Sequence, residues 1–114
     1  MLRITHKNEC ISEKILVADN MVTRIIGLMF RAKPPQGADG LLLDPCNSIH
    51  TCFMRYSLDV AFLNSQNKVI KIIRGLKPWR MTWIYLKASK TLELPAGKLP
   101  LDIREGDVLE VEVV

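Results

Sequence analysis

This sequence predicts a mainly β, single-domain protein of the α+β kind: a compact β-sandwich or barrel with one amphipathic helix near the N-terminus. Two observations predict the β class. Short runs rich in Ile, Val and Leu recur at close spacing, and turn residues separate them. Near the C-terminus, Leu109, Val111 and Val113 alternate with Glu110 and Glu112, the pattern of a strand dry on one face and wet on the other. A third observation predicts the helix, because Met21, Val22, Ile25, Ile26, Leu28 and Met29 recur at helical spacing. With 114 residues, 48% hydrophobic and 25% charged, the chain suits one domain with one core.

In chain order, the runs at 2–5 and 11–17 flank His6-Lys7-Asn8-Glu9 and read as a hairpin. Asp19 or Asn20 caps the helix, which covers about 20–31 and leaves Arg24 and Arg31 off the apolar stripe. Pro34-Pro35 ends that segment, since proline lacks an amide donor and disfavours helix in the residue before it. Residues 36–40 form a loop, 41–43 a short buried strand, and Asp44-Pro45 a turn. Strands are expected at 48–54 and 58–63, the second apolar enough to be covered on both faces. Asn64 to Asn67 turns the chain, so 58–73 reads as the clearest hairpin. Residues 75–89 are irregular, 91–94 is a strand stopped by Pro95-Ala96-Gly97, and 99–104 reads as a short helical turn. Glu105-Gly106-Asp107 then turns into the last strand.

Several function classes are disfavoured. No apolar run approaches the roughly 20 residues of a transmembrane helix. The N-terminus has no apolar leader, so no secretory signal is read there. Cys10, Cys46 and Cys52 make an odd count without CxxC spacing, which reads as reduced thiols in a cytoplasmic protein; a Cys46–Cys52 bridge stays open. The net charge of +4 is mild, but its distribution is not even. Between Asp59 and Glu93 there is no acidic residue, while Lys68, Lys71, Arg74, Lys77, Arg80, Lys87 and Lys90 fall there. The stretch 102–112 is mostly acidic, so the two segments either pair within a sheet or leave a basic face. Trp79, Trp83 and Tyr85 interrupt the basic run, a mixture that single-stranded nucleic acid uses for phosphate attraction and base stacking. The simpler accounts of residues 68–90 are a solvated basic face, a sugar or protein contact, or aromatics covering the core edge.

The stretch 50–64, HTCFMRYSLDVAFLN, gathers the chemically able side chains. On an extended strand His50, Cys52 and Met54 share one face, a soft ligand set for Cu(I), with zinc accepting the first two. The ordinary account is a strand whose Cys and Met face the core. Cys52 beside His50 also invites a nucleophile-and-base reading, but such pairs normally come from separate elements. Arg55 and Asp59 flank one connection, so Arg55 either pins a corner by pairing with Asp59 or Glu93, or joins His50, Asp59 and Glu93 around a small ligand.

With these segments placed, the chain resembles domain-of-unknown-function family 192. The matching pieces are RIIGLMFR at 24–31, GLLLDP at 40–45 and IHTCFMRYSLDVAFLN at 49–64. KVIKI at 68–72, LKPWR at 76–80, LELPAG at 92–97 and EGDVL at 105–109 follow in the family's order. The resemblance implies a small, mostly β fold, often made with a signal or lipoprotein leader, and no established reaction. A small or aromatic residue is usual in the family where Cys52 stands, which implies that Cys52 is not an essential nucleophile. The reading is therefore a small binding or accessory module, with His50, Met54, Arg55, Asp59, Arg80 and Glu93 as candidate ligand-binding residues. Its partner is a small molecule or a protein, and it calls for no cofactor. The alternative is a small metal-dependent or hydrolase-like enzyme using His50, Asp59 and Glu93.

Overall fold

The computed structural model describes residues 1–18, 37–52 and 54–114. The helix expected at 20–31, with Arg24, Arg31 and the Pro34-Pro35 stop, lies outside the described residues. Among the described residues seven strands make one sheet: β1 (Leu2–His6), β2 (Glu9–Ala18), β3 (Gly40–Leu43), β4 (Leu58–Leu63), β5 (Val69–Leu76), β6 (Lys90–Pro95) and β7 (Glu110–Val113). Their spatial order is β5-β4-β6-β3-β2-β1-β7. The protein is thus mainly β, with a single curled sheet rather than two facing ones.

The expected hairpins form. β1 and β2 pair antiparallel around Lys7 and Asn8, whose φ values of 49° and 66° fit the two-residue turn that follows the natural strand twist. β4 and β5 pair antiparallel. Their turn is held by Asn64, whose Oδ1 accepts the backbone N–H of Gln66 at 3.0 Å and of Lys68 at 2.9 Å. β4 is buried at all six positions, because β5 and β6 flank it and side chains cover both faces. β3 runs parallel to β2 and antiparallel to β6. Gly40 permits the second contact, since a Cβ there would meet the Glu93 carbonyl oxygen and stand 2.6 Å from the Leu94 side chain.

The two edges of the sheet meet at one end. Lys68 and Val108 form a bridge, the Val69 N–H donates to Asp107 O at 2.7 Å, and the Leu109 N–H donates to Asn67 O at 2.9 Å. His6, almost fully buried, reinforces this seam through Nε2 and Asp107 Oδ2 at 2.8 Å. The basic and acidic segments therefore do touch, but mainly through backbone at the seam. The acidic β7 pairs with β1, where Arg3 reaches both Glu13 and Glu112.

Alternation along the strands divides the core. Ile4, Ile15, Leu42, Leu63 and Leu92 belong to one apolar cluster. Leu41, Leu43, Leu58, Val60 and Phe62 belong to a second cluster, completed by Ile49, Met54 and Ala88 from the connecting segments. Among the described residues of 48–54 the expected strand is not formed, and His50 alone makes an isolated bridge, to Met81. Ile49 and Thr51 instead bond through their backbone to Trp79, Arg80 and Thr82 of the irregular segment. The 99–104 segment is a reverse turn, with the Ile103 N–H donating to Pro100 O at 3.3 Å, and not a helix.

Candidate functional site

Residues 46–51 and 79–89 lie side by side as an irregular antiparallel ribbon across the second cluster. Backbone N–H donors stitch the pair along its length: Cys46 to Ser89 O, Tyr85 to Asn47 O, Thr82 to Ile49 O, Thr51 to Arg80 O and Trp79 to Thr51 O, all between 2.8 and 3.0 Å. The buried Thr51 locks one end, since its Oγ1 donates to Lys77 O at 2.6 Å and accepts the Arg80 N–H at 2.9 Å. One hydroxyl thus satisfies two backbone groups that no strand partner serves. Tyr85 fastens the ribbon from beneath, its ring tilted against Phe62 with centroids 4.7 Å apart.

The inner and outer sides of this ribbon differ sharply. Ile49, Thr51 and Ala88 are buried beneath it. Outside, Met81, Trp83, Ile84 and Leu86 are 77%, 83%, 64% and 87% exposed, and Trp79 at the ribbon's base is 60% exposed. Lys77, Arg80 and Lys87 are exposed around them. Arg80 and the two tryptophans were singled out in the sequence, whereas Met81, Ile84 and Leu86 were not. Their residue types read as core, and only their position on the outer side shows otherwise. Thr51 was missed too, because a threonine serving two backbone groups has no local sequence signal.

The candidate residues divide among three environments. His50, Arg55 and Arg80 are exposed, with His50 bridged to Met81. Met54 is buried in the second cluster. Glu93, also buried, faces the same side of the sheet, because antiparallel register sets it between Leu41 of β3 and Val60 of β4. Burial pushes its carboxyl up from 4.5 to about 8, so it is mostly neutral at pH 7. No hydrogen bond or salt bridge of its carboxyl is found among the described residues. Asp59 lies on the opposite face, where Oδ1 accepts the Gly75 N–H at 3.0 Å and Oδ2 accepts those of Gly97 and Leu99 at 2.9 and 3.2 Å. The expected Arg55 pairing with Asp59 or Glu93 is absent among the described residues: Asp59 is engaged by amides, and Glu93 lies in register between Leu41 and Val60.

The three soft-ligand residues sit in different surroundings. His50 is exposed, Cys52 is half-buried in a turn and Met54 is buried, since the strand whose alternation would align them is missing. Among the described residues no three His, Cys, Asp or Glu side chains converge as metal ligands. Cys10, Cys46 and Cys52 are free thiols, so the Cys46–Cys52 bridge is not made; Cys46 Sγ instead contacts Ser48 O at 3.1 Å. A hollow of about 440 Å³ opens beside Cys46, Asn47 and Ser89, and another of about 450 Å³ beside Ser12, Asp39 and Lys98. Neither is lined by His50, Asp59 or Glu93. Among the described residues no helix is long and apolar enough to cross a membrane.

A curled seven-stranded sheet with a clasped ribbon over one face defines a small β-domain class. Within it the chain belongs to the DUF192 family, described as "Uncharacterized ACR", whose profile matches residues 2–111. A UPF0127 protein of Pyrococcus furiosus is 38% identical over 114 residues, covering 96% of each chain. A second, from Pyrococcus horikoshii, is 36% identical over 96 residues and covers 80% of each. Among solved structures, a protein of unknown function from Novosphingobium aromaticivorans superposes with a TM-score of 0.78 at 20% identity, over 96% of this chain and 82% of its own. A Sinorhizobium meliloti protein described as a candidate transcription regulator superposes with a TM-score of 0.71 at 24% identity, over 96% and 91%. At these identities the likeness is one of fold alone. The family description names no reaction.

Proposed function

We propose that this protein is a non-catalytic binding module that meets its partner through the outer side of the 79–87 ribbon, with His50, Arg55 and Arg80 at the border. One observation carries this reading: Met81, Trp83, Ile84 and Leu86 are held out in solvent on a backbone clamped from below. Four large apolar side chains exposed within six residues are more than the scattered single ones of an ordinary surface, and such grouping marks interaction sites. Clamping favours recognition, because little backbone entropy is lost on contact. Enzymatic use of His50, Asp59 and Glu93 has less support, since the three occupy separate environments and Asp59 is already engaged by three amides.

The test is amide-resolved NMR of the labelled protein with lipid bicelles, a single-stranded oligonucleotide and an acidic peptide. Perturbations should centre on 79–87 and on the bonded residues 49–51. Perturbations gathered around Met54 and Glu93 instead, with the ribbon silent, would overturn the reading in favour of a polar pocket.

A further inference from the structure

Resting on that reading, we infer that the ribbon's partner is the surface of an anionic phospholipid bilayer. Trp83, Ile84 and Leu86 enter the boundary between headgroups and acyl chains, while Lys77, Arg80 and Lys87 lie against lipid phosphates.

The side-chain chemistry favours this partner over others. Met81, Ile84 and Leu86 have no ring, so they offer nucleic-acid bases nothing to stack on, whereas an acyl boundary accepts flexible aliphatic chains directly. Trp83 combines an apolar body with one N–H donor, the character that concentrates tryptophan at membrane interfaces. The cations point the same way. No acidic residue lies between Asp59 and Glu93, and Lys77, Arg80 and Lys87 make no salt bridge among the described residues. Their charge is left for an external anion, and an anionic leaflet attracts such side chains over about a Debye length. A second copy of this chain is a poorer partner, because stacking two ribbons face to face would set the same cations against each other. The hydrogen bonds to 46–51 hold the apolar side chains outward before contact, so docking requires no local refolding.

Both tryptophans of the chain, Trp79 and Trp83, lie in this ribbon, so intrinsic fluorescence reports on it specifically. The experiment combines vesicle co-sedimentation with tryptophan emission. It compares phosphatidylcholine vesicles with vesicles containing about one-third phosphatidylglycerol, at low and high salt. The full chain should sediment with the anionic vesicles, shift its emission to shorter wavelength and dissociate as salt rises. Binding to neutral vesicles should be roughly tenfold weaker or more. Trp83→Ser combined with Leu86→Ser should lower anionic binding roughly tenfold or more while leaving the thermal midpoint unchanged, since neither side chain packs on the core. Lys77→Glu with Lys87→Glu should remove most of the salt-sensitive part.

Folded protein that ignores anionic vesicles, or a double serine variant that binds as well as the parent, overturns the lipid assignment. Two further arms, sedimentation velocity and a labelled single-stranded oligonucleotide, separate this failure from that of the ribbon itself. Ribbon-dependent self-association or oligonucleotide binding without vesicle binding overturns the lipid partner and leaves the ribbon as the contact surface. Indifference to the ribbon substitutions in every arm overturns both.

Discussion

Asp59 and Glu93 lie on neighbouring strands, one register step apart: Asp59 is opposite Leu94, and Glu93 is opposite Val60. Both carboxyls are buried, at 3% and 6% exposure. Yet one ties β5 to the segment that follows β6, and the other is held mostly neutral by burial. Strand alternation alone sends them to opposite faces. What each face supplies then decides their chemistry. On the Asp59 side, β5 is irregular at Gly75 and the chain turns at Gly97; their φ values of 65° and 87° suit glycine, and both N–H groups donate to the carboxyl. On the Glu93 side, Leu41 and Val60 supply no donor, so charging the carboxyl there is unfavourable. Two acids buried to the same degree therefore serve the fold differently, because one face supplies backbone donors to its carboxyl.

Removing the well-donated acid should have the largest effect. Asp59→Ala would leave three amides without their acceptor and should destabilise the fold by about 4 kcal/mol, measured by urea unfolding. A loss below about 1 kcal/mol would mean that water replaces the carboxylate easily and that the latch is minor.

Glu93 should behave in the opposite sense. Its folded pKa lies above its unfolded value, so the unfolded chain releases this proton first. Stability should fall as pH rises from 4.5 to about 8 and stay low beyond that. Glu93→Gln should flatten this window and make the protein more stable at high pH, by on the order of 3 kcal/mol. Parallel pH–stability curves for parent and variant would show that Glu93 does not titrate in the folded state as its surroundings imply.

The smallest effect should come from the strand contact behind Glu93. Gly40→Ala would push a methyl against the Glu93 carbonyl oxygen and the Leu94 side chain, costing about 2 kcal/mol in thermal or urea unfolding. A neutral result would show that β3 and β6 can separate slightly without loss.

Much of the β framework was legible in the sequence. β4 reads as an apolar run because it is covered on both faces, and the 64–67 turn announces itself through asparagines that bond their own backbone. The first hairpin and the short β3 strand were equally local signals. The family motifs also carried the right membership. Residues 48–54 look like a strand by composition, but they pair with the irregular 79–89 segment through Thr51, a contact between residues about thirty positions apart. No local pattern encodes such a partner. The His6–Asp107 seam is hidden for the same reason, as its two residues stand at opposite ends of the chain.

The sequence by itself determined most of the strands, the main turns and which residues carry charge, because those properties follow from side-chain volume, branching and hydrogen bonding over a few positions. Tertiary structure alone decided that Asp59 and Glu93 face away from each other and that His50 is exposed while Met54 is buried. It also decided that Trp83, Ile84 and Leu86, core-like by type, stand in water. The physical reason is that exposure and donor supply belong to a place in the fold, set by strand register and by contacts between distant residues.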